Sequence, residues 1–235
     1  MSIKAVFWPL GGGKEVDSYP LNHVVLDLRP LPEKGGTTNI NQRSQIKKGY
    51  FELTMAGGGS NSAYYGWGGI DGASGAGFKG IIEIFDDVEI NIQVGAYVPK
   101  NSGDLRRPTL FGDFIEAGGA TGATDYVGGG SPGTLVINSV TWARIVDPQI
   151  QNNGQQNSTF QPIPGTNYGQ EFYTGYMKLV YLGLTMDDIS AALAELDKNR
   201  GGVSRWLRFK RYLNGLVSKA FYYFRQIIIG GCHDD

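Results

Sequence analysis

The sequence has very few of the side chains on which most catalytic and metal sites depend. Cys232 is the only cysteine in 235 residues, so no disulfide can form within the chain, and folding in a reducing cytosol is expected. His23 and His233 are the only histidines, and nothing around either resembles a nucleophile elbow. We therefore expect no Ser-His-Asp or Cys-His site, no enzymatic activity and no cofactor.

Long apolar runs and a net charge are also missing. No apolar run reaches the roughly 18 residues that a membrane-spanning helix needs, so such a helix is not expected. The opening stretch, MSIKAVFWPLGGG, is interrupted by Pro9 and by glycines, and a signal peptide is not expected there. The 21 basic and 22 acidic residues give a net charge of −1, so the whole chain carries no nucleic-acid or membrane signal.

Glycine, in contrast, is abundant and clustered. Of 36 glycines, 19 lie between Gly57 and Gly130, and strand-like segments separate the clusters. The clearest alternation places four apolar residues on one sheet face: Val88, Ile90, Ile92 and Val94. Glycine clusters beside such alternation indicate strands joined by close-packed turns. We predict a mainly β fold, with a glycine-rich, β-sandwich-like domain over residues 49–183.

The remaining strands and loops follow from the same pattern. The arm of residues 1–48 is interrupted by prolines and is expected to pack on the β domain or on another subunit. The polar runs Glu33–Lys48 and Asp147–Asn167 are predicted to be loops. The predicted strands are Ile3–Leu10, His23–Leu28, Tyr50–Ala56, a hairpin within Phe78–Gly95, Thr109–Ala117, Thr134–Val146 and Tyr173–Gly183.

Residues 184–235 are predicted to form a helical hairpin. Thr185 is placed to cap a first helix that has two acids in its first turn and ends at Gly201-Gly202. A second helix is predicted from Ser204 to about Ile229, because apolar residues recur there at helical spacing.

The second predicted helix is basic. All eight basic residues after Gly183 fall between Lys198 and Arg225, where no acid occurs. A solvent-exposed basic face on a packing helix is the commoner reason for such a pattern, and phosphate or membrane binding is the alternative. The predicted basic face consists of Arg205, Arg208, Arg211 and Lys219.

Three other patterns resemble functional motifs, and each has a simpler interpretation. Asp86-Asp87, flanked by Glu83 and Glu89, could pair for glycoside cleavage or cation binding, but a turn is favoured because Asp bonds to local backbone. His233 has Cys232, Asp234 and Asp235 as neighbours, and we favour a frayed end without metal over a metal site. The glycine clusters lack GxxxxGK[ST] and a following helix pattern, so no nucleotide site is predicted.

Aromatic residues within or beside the glycine clusters are the candidate binding residues. Aromatic side chains on loops give carbohydrate- and protein-binding surfaces a large contact area at low entropic cost. Packing across a subunit interface is the interpretation we favour, and contact with a receptor is the second. The residues are Tyr64, Tyr65, Trp67, Tyr97 and Tyr126.

From about Gly49 to Gly183 the order of segments resembles the glycine-rich domains of tailed-bacteriophage tail-fibre, tail-tip and related virion proteins. Those domains show a strand running into a glycine cluster, a hairpin, a Val-Gly pair, a Phe-Gly pair, an Ala-Gly-Gly and a closing strand. Glycine runs are shorter here than in the richest members, so a packed lattice of polyglycine helices is not expected. The corresponding segments are YFELTMAGGGSNSA, GWGGIDGASGAGFKG, VEINIQVGAY, FGDFIEAGGATGA and GYMKLVYLG.

The resemblance implies a structural protein of a virus particle, assembled in the host cytoplasm as a homo-oligomer, a trimer or a higher ring. It also implies contacts with other virion proteins and with a host receptor. A decoration or connector protein that binds only neighbouring subunits is the alternative. A third hypothesis is a peripheral membrane or nucleic-acid-binding protein that acts through the basic helix.

Overall fold

A computed structural model describes residues 19–30, 38–61, 63–65, 68–70, 72–99, 105–122, 130–156, 159–171 and 173–199. Antiparallel strands dominate this part of the chain, which confirms the mainly β prediction. In chain order the elements are β1 (Val24–Leu28), β2 (Ile40–Ile46), β3 (Gly49–Ala56), β4 (Ala63–Tyr65), β5 (Gly68–Ile70), β6 (Gly77–Ile84), β7 (Val88–Val94), β8 (Thr109–Phe111), β9 (Ile115–Ala117), β10 (Leu135–Ile137), β11 (Ala143–Asn152), β12 (Tyr176–Gly183) and α1 (Met186–Asn199).

The strands form two five-stranded antiparallel sheets and a small hairpin. The first sheet has the order β1-β12-β3-β6-β11, and the second has the order β10-β9-β8-β7-β2. Strands β4 and β5 pair only with each other. Both β1 and β2, which lie within the predicted arm, are therefore strands of the two sheets, while the division into three domains stays a prediction.

One hydrophobic core is shared by the two sheets. Strand alternation places Phe51, Leu53 and Met55 of β3 on the inner face of the first sheet, where all three are fully buried. Ile92 and Phe111 of the second sheet belong to the same buried cluster. Large apolar side chains thus fill the space between the sheets, and their burial is the main stabilising contribution there.

Strand β2 contradicts the prediction that Glu33–Lys48 is a loop. It pairs with β7 over its whole length, from Ile40 opposite Val94 to Ile46 opposite Val88. The half-buried positions between these ends carry Gln42 and Ser44, whose side chains hydrogen-bond to each other at 2.9 Å. Because these inward positions are polar, the strand lacks the apolar alternation on which the sequence prediction relied.

The predicted hairpin within Phe78–Gly95 is also wrong, although both of its strands exist. Strand β6 belongs to the first sheet and β7 to the second, so the turn at residues 85–87 passes from one sheet to the other. Asp87 fixes this connection by accepting hydrogen bonds from the Lys48 amide and the Lys47 ammonium, both at 2.9 Å. Asp87 thus holds the turn through groups of the distant connection between β2 and β3, and not through the local backbone bonds that the favoured interpretation expects.

Two predicted strands are each divided in the structure. Thr109–Ala117 forms β8 and β9, which pair with each other around a turn in which Gly112 has a φ of 57°. Thr134–Val146 contributes to β10 and to β11, which lie in different sheets. Strand β11 continues to Asn152, so the loop predicted over Asp147–Asn167 begins later than expected.

Helix α1 confirms the first half of the predicted helical hairpin. Thr185 Oγ1 accepts a hydrogen bond from the Asp188 amide at 3.2 Å, and the Asp188 carboxylate accepts one from the Thr185 amide at 2.9 Å. Ile189 and Leu193 pack on the outer face of the first sheet, in one cluster with Tyr50. The second predicted helix lies outside the described residues, so the hairpin is not supported. No helix in the described part of the chain could cross a membrane.

Candidate contact surface built on a glycine bundle

Segments without helix or strand structure leave or enter one end of both sheets, and together they form what we call the glycine bundle. Four of them connect to the first sheet and four to the second. Glycine, alanine, serine and threonine make up most of their residues. The segments are 57–61, 72–76, 153–156 and 169–175 from the first sheet, and 95–99, 105–108, 118–122 and 130–134 from the second.

Backbone hydrogen bonds connect the segments of one sheet to those of the other. The Gly58 amide donates to the Arg107 carbonyl at 3.1 Å, and the Gly58 carbonyl accepts from the Ala120 amide at 2.9 Å. The bundle therefore joins the two sheets through hydrogen bonds between main-chain atoms. Further bonds across the sheets run from Ala76 to Gly118, Val98 to Gly59, Gly133 to Ser74, Gly154 to Gly133, and Gly175 to Gly95, donors first.

Glycine is required at the centre of the bundle because there is no room for a side chain. A Cβ atom on Gly95 would overlap the Arg107 carbonyl oxygen, and one on Gly58 would overlap the Ala96 carbonyl oxygen. Backbone atoms cannot rotate away as a flexible side chain can, so each added methyl group would push segments apart. Although its glycine runs are short, the chain thus packs glycine segments directly against each other, as the glycine clusters in the sequence indicated.

Small hydroxyl side chains complete the hydrogen bonding inside the bundle. Thr109 is fully buried, and its Oγ1 donates to the Ala56 carbonyl at 2.6 Å and accepts from the Gly95 amide at 3.1 Å. Ser60 Oγ accepts from the Ala73 amide at 3.0 Å. Because buried backbone groups are costly when unpaired, these hydroxyls stabilise points where segments diverge.

Three stretches of chain that we call excursions join pairs of bundle segments: residues 62–71, 100–104 and 123–129. Residues 62–71 connect two segments that are paired up to Ser60 and Ala73, and residues 123–129 connect two that are paired up to Thr121 and Ser131. Residues 100–104 connect the segments 95–99 and 105–108, and residues 157–168 connect the fourth pair, 153–156 and 169–175. Ser60 also forms a parallel bridge with Val98, which joins the segments 57–61 and 95–99. The described segments are thus paired almost up to the residues at which the excursions begin.

The structure describes only part of the predicted set of aromatic residues. Tyr64 and Tyr65 lie in β4, opposite Gly69 and Gly68 of β5, and their side chains are not among the described atoms. Trp67 and Tyr126 lie outside the described residues, within the excursions. The role of these four aromatics in interface packing or receptor contact therefore stays a prediction.

Tyr97 has a different setting from the other candidates. It lies on a bundle segment and is half-buried, and burial, assisted by the Glu171 carboxylate, raises the pKa of its phenol. Glu171 itself is 2% exposed. Sequence analysis missed Glu171 because it lies in a polar stretch with no periodic pattern, and only the packing of the bundle makes it a buried carboxylate.

The other candidate residues lie outside the described part of the chain. This applies to the basic residues Arg205, Arg208, Arg211 and Lys219 and to the terminal group around His233. Among the described residues, no group of three or more His, Cys, Asp or Glu side chains could hold a metal ion. Comparison of the chain with known proteins gave no match to a family model, to a curated protein or to a solved structure.

Proposed function

We propose that this chain is a non-enzymatic structural subunit of a virus particle, a tail-fibre, tail-tip or capsid-fibre component whose excursions contact the host surface. The observation that carries the proposal is the bundle itself, which joins both sheets through backbone hydrogen bonds between the segments that lead into the three excursions. A bundle held together by main-chain hydrogen bonds allows the excursions to vary in sequence while the packed backbone stays unchanged.

The architecture supports an assembled state as well. In the proposed subunit the two sheets are the layers of a sandwich, and the basic helix packs on this domain or on a neighbouring copy. Edge strands β2 and β10 of the second sheet, and β1 and β11 of the first, each have one side available for pairing among the described strands. A symmetric homo-oligomer, a trimer or higher ring bound to other virion proteins, is the common way to cover such edges.

Native mass spectrometry of the full chain tests the assembled state. We expect a trimer or a higher closed ring, because exposed edges favour pairing between identical copies. A stable monomer at micromolar concentration would contradict the proposal that the chain is a virion subunit. A separate measurement tests the alternative of a peripheral protein that acts through the basic helix. Liposome or DNA binding that survives about 0.5 M salt would favour that alternative.

Host contact is tested by labelling the single cysteine, Cys232, with a fluorophore and measuring binding to a panel of bacterial cells. We expect the triple substitution Tyr64→Ala, Tyr65→Ala and Trp67→Ala to abolish cell binding while the assembly and its melting temperature are retained. Phe85→Ala is the matched control, since Phe85 is an exposed aromatic in the turn between β6 and β7 at the opposite end of the sheets.

The two virion hypotheses give different results in this experiment. A subunit that contacts the host loses cell binding in the triple variant and keeps its oligomeric state. A decoration or connector protein binds no cells as wild type, and the triple variant loses its assembly with neighbouring subunits. Equal cell binding by wild type, triple variant and Phe85→Ala would contradict a role of these aromatics in host contact.

A further inference from the structure

A second candidate site lies away from the excursions, on the outer face of the first sheet. A cavity of about 700 Å³ opens there, beside the area that α1 covers. Strands β3, β6 and β12 form its floor, and residues of β11 and of the segment 163–168 form its walls. This volume is typical of cavities that hold small ligands.

Charged side chains line the floor, which is unusual for the middle of a sheet. Lys178, Thr54 and Lys79 lie side by side across three strands and therefore share one face. Lys79 Nζ is 3.4 Å from Glu52 Oε1, and these side chains are only 13% and 8% exposed. The charge of Lys79 is thus balanced within the floor itself.

Lys178, unlike Lys79, forms no ion pair with a carboxylate among the described residues. Its side chain is half-buried in the cavity floor, and among the described residues its ammonium has no ion pair or hydrogen bond. Asp27 lies opposite Lys178 on β1, yet the two form no ion pair. Because an ammonium without a paired carboxylate is stabilised by a nearby negative charge, Lys178 favours a ligand that carries one.

The surrounding groups limit how much negative charge that ligand can carry. The carboxylates of Glu52 and Asp147 line the same cavity and would repel a dianion more strongly than a monoanion. A carboxylate therefore fits better than a phosphate. The hydroxyls of Thr54 and Thr166 and the amide of Gln149 provide hydrogen-bonding groups for ligand hydroxyls.

An aromatic wall completes the cavity. The rings of Tyr168 and Tyr176 are stacked, with centroids 4.1 Å apart and planes inclined by 8°. Arg29 Nη1 donates a hydrogen bond to the Tyr168 hydroxyl at 2.8 Å and so fixes this ring. Burial, with a smaller effect of the Asp27 carboxylate, holds the pKa of Tyr176 far above its usual value, so its phenol adds no negative charge.

We propose that this cavity binds a small hydroxylated carboxylic acid, the chemistry of an acidic sugar, through an ion pair between the ligand carboxylate and Lys178. Thr54 and Thr166 bind ligand hydroxyls, and the stacked tyrosines form the apolar wall. The site lies on the flank of the molecule and does not depend on the excursions.

The test is an NMR chemical-shift titration of the full-length protein with three probes: sodium glucuronate, glucose and glucose 6-phosphate. We expect glucuronate to bind more tightly than the other two, because glucose lacks the carboxylate and the phosphate is a dianion. Lys178→Gln should weaken glucuronate binding at least about tenfold, the usual size of a lost charge-assisted bond.

Two further variants separate loss of the site from loss of the fold. Lys178→Arg keeps the charge and should retain most of the affinity for glucuronate. Lys47→Gln removes a lysine whose partner is Asp87, outside the cavity, and should leave binding unchanged. The proposal is overturned by the absence of saturable glucuronate shifts, by equal glucuronate affinity in Lys178→Gln, or by tighter binding of glucose 6-phosphate.

Discussion

The two sheets and the glycine bundle solve the same packing problem in opposite ways. Between the sheets, large side chains such as Phe51 and Phe111 fill the space, and both are fully buried. In the bundle, the absence of side chains at Gly58 and Gly95 lets backbone segments touch, and hydrogen bonds between main-chain atoms hold them together. The sheets are therefore sensitive to lost volume, whereas the bundle is sensitive to added volume.

This difference also separates two sources of stability. Burial of apolar area stabilises the sheets at roughly 25 cal/mol per Å². The bundle has little apolar side-chain area to bury, so its order depends on pairing backbone groups that would otherwise be buried without partners. Substitutions that add or remove single groups in the two regions test this distinction.

The largest effect is expected for Gly95→Ala. Its Cβ would overlap the Arg107 carbonyl oxygen, and only backbone movement could relieve the clash. We expect the free energy of unfolding to fall by more than about 4 kcal/mol, beyond the range of ordinary substitutions. Urea denaturation measures this loss. Gly165→Ala is the control, since φ is 80° there but nothing lies within 4 Å of the added atom, and it should cost only about 1–2 kcal/mol.

Removing side-chain volume should lower the free energy of unfolding more in the sheets than in the bundle, which is the reverse of the expected effect of added volume. Leu53→Ala in the shared core should cost about 3 kcal/mol, because a fully buried side chain leaves a cavity between the sheets. Ala96→Gly in the bundle removes a methyl group and should cost only about 1 kcal/mol. Urea denaturation measures both losses. A larger loss for Ala96→Gly than for Leu53→Ala would show that side-chain volume, not backbone contact, stabilises the bundle.

Thr109→Val tests the hydrogen bonding of the bundle without a change in shape. The substitution leaves the Ala56 carbonyl and the Gly95 amide without the hydroxyl that pairs with both. We expect a loss of about 2 kcal/mol from these buried groups, measured by thermal and urea denaturation. Thr109→Ser keeps the hydroxyl and should lose less than Thr109→Val, while equal losses would contradict the hydrogen-bonding role.

The smallest effect concerns pH and the start of α1. Hydrogen bonds from Thr185 and from the Leu184 amide hold the pKa of Asp188 below its usual range. A carboxyl whose pKa is lowered on folding stabilises the fold above its unfolded pKa, and this contribution is lost as pH falls through the folded pKa.

Thermal unfolding between about pH 5 and about pH 2 measures this contribution. We expect wild type to lose more melting temperature on acidification than Asp188→Asn does. Asp187→Asn, in the same helical turn, is the matched control and should behave like wild type. Identical acid sensitivity in wild type and Asp188→Asn would contradict the role of the capping carboxylate.

Sequence reasoning succeeded where side chains alternate and failed where backbone contacts decide. Strands β3, β7 and β12 follow from apolar alternation, and α1 follows from its capping residues. Strand β2 has polar inward residues, and the crossing after β6 depends on which sheet β7 joins, which no local pattern records. Glycine spacing indicated close packing, but the partners of each segment lie far away in sequence and were not predictable.

The candidate sites show the same limit. The aromatics beside glycine clusters were selected from local sequence features, and their role in binding stays a prediction. The cavity with Lys178 was missed, since Lys178, Thr54 and Lys79 belong to three strands whose register is set by pairing across the whole sheet. The charged residues of one strand do not show which residues of the other strands lie beside them until that register is known.

Amide hydrogen exchange of the full chain tests the central claim most directly, namely that the bundle is packed backbone joining two sheets. The account predicts that the amides of Gly58, Ala76 and Gly133 exchange as slowly as those of β3 and β6, because their partners lie across the sheets and all must separate together. Exchange of these three amides at the rate of an exposed loop, while β3 and β6 stay protected, would contradict it.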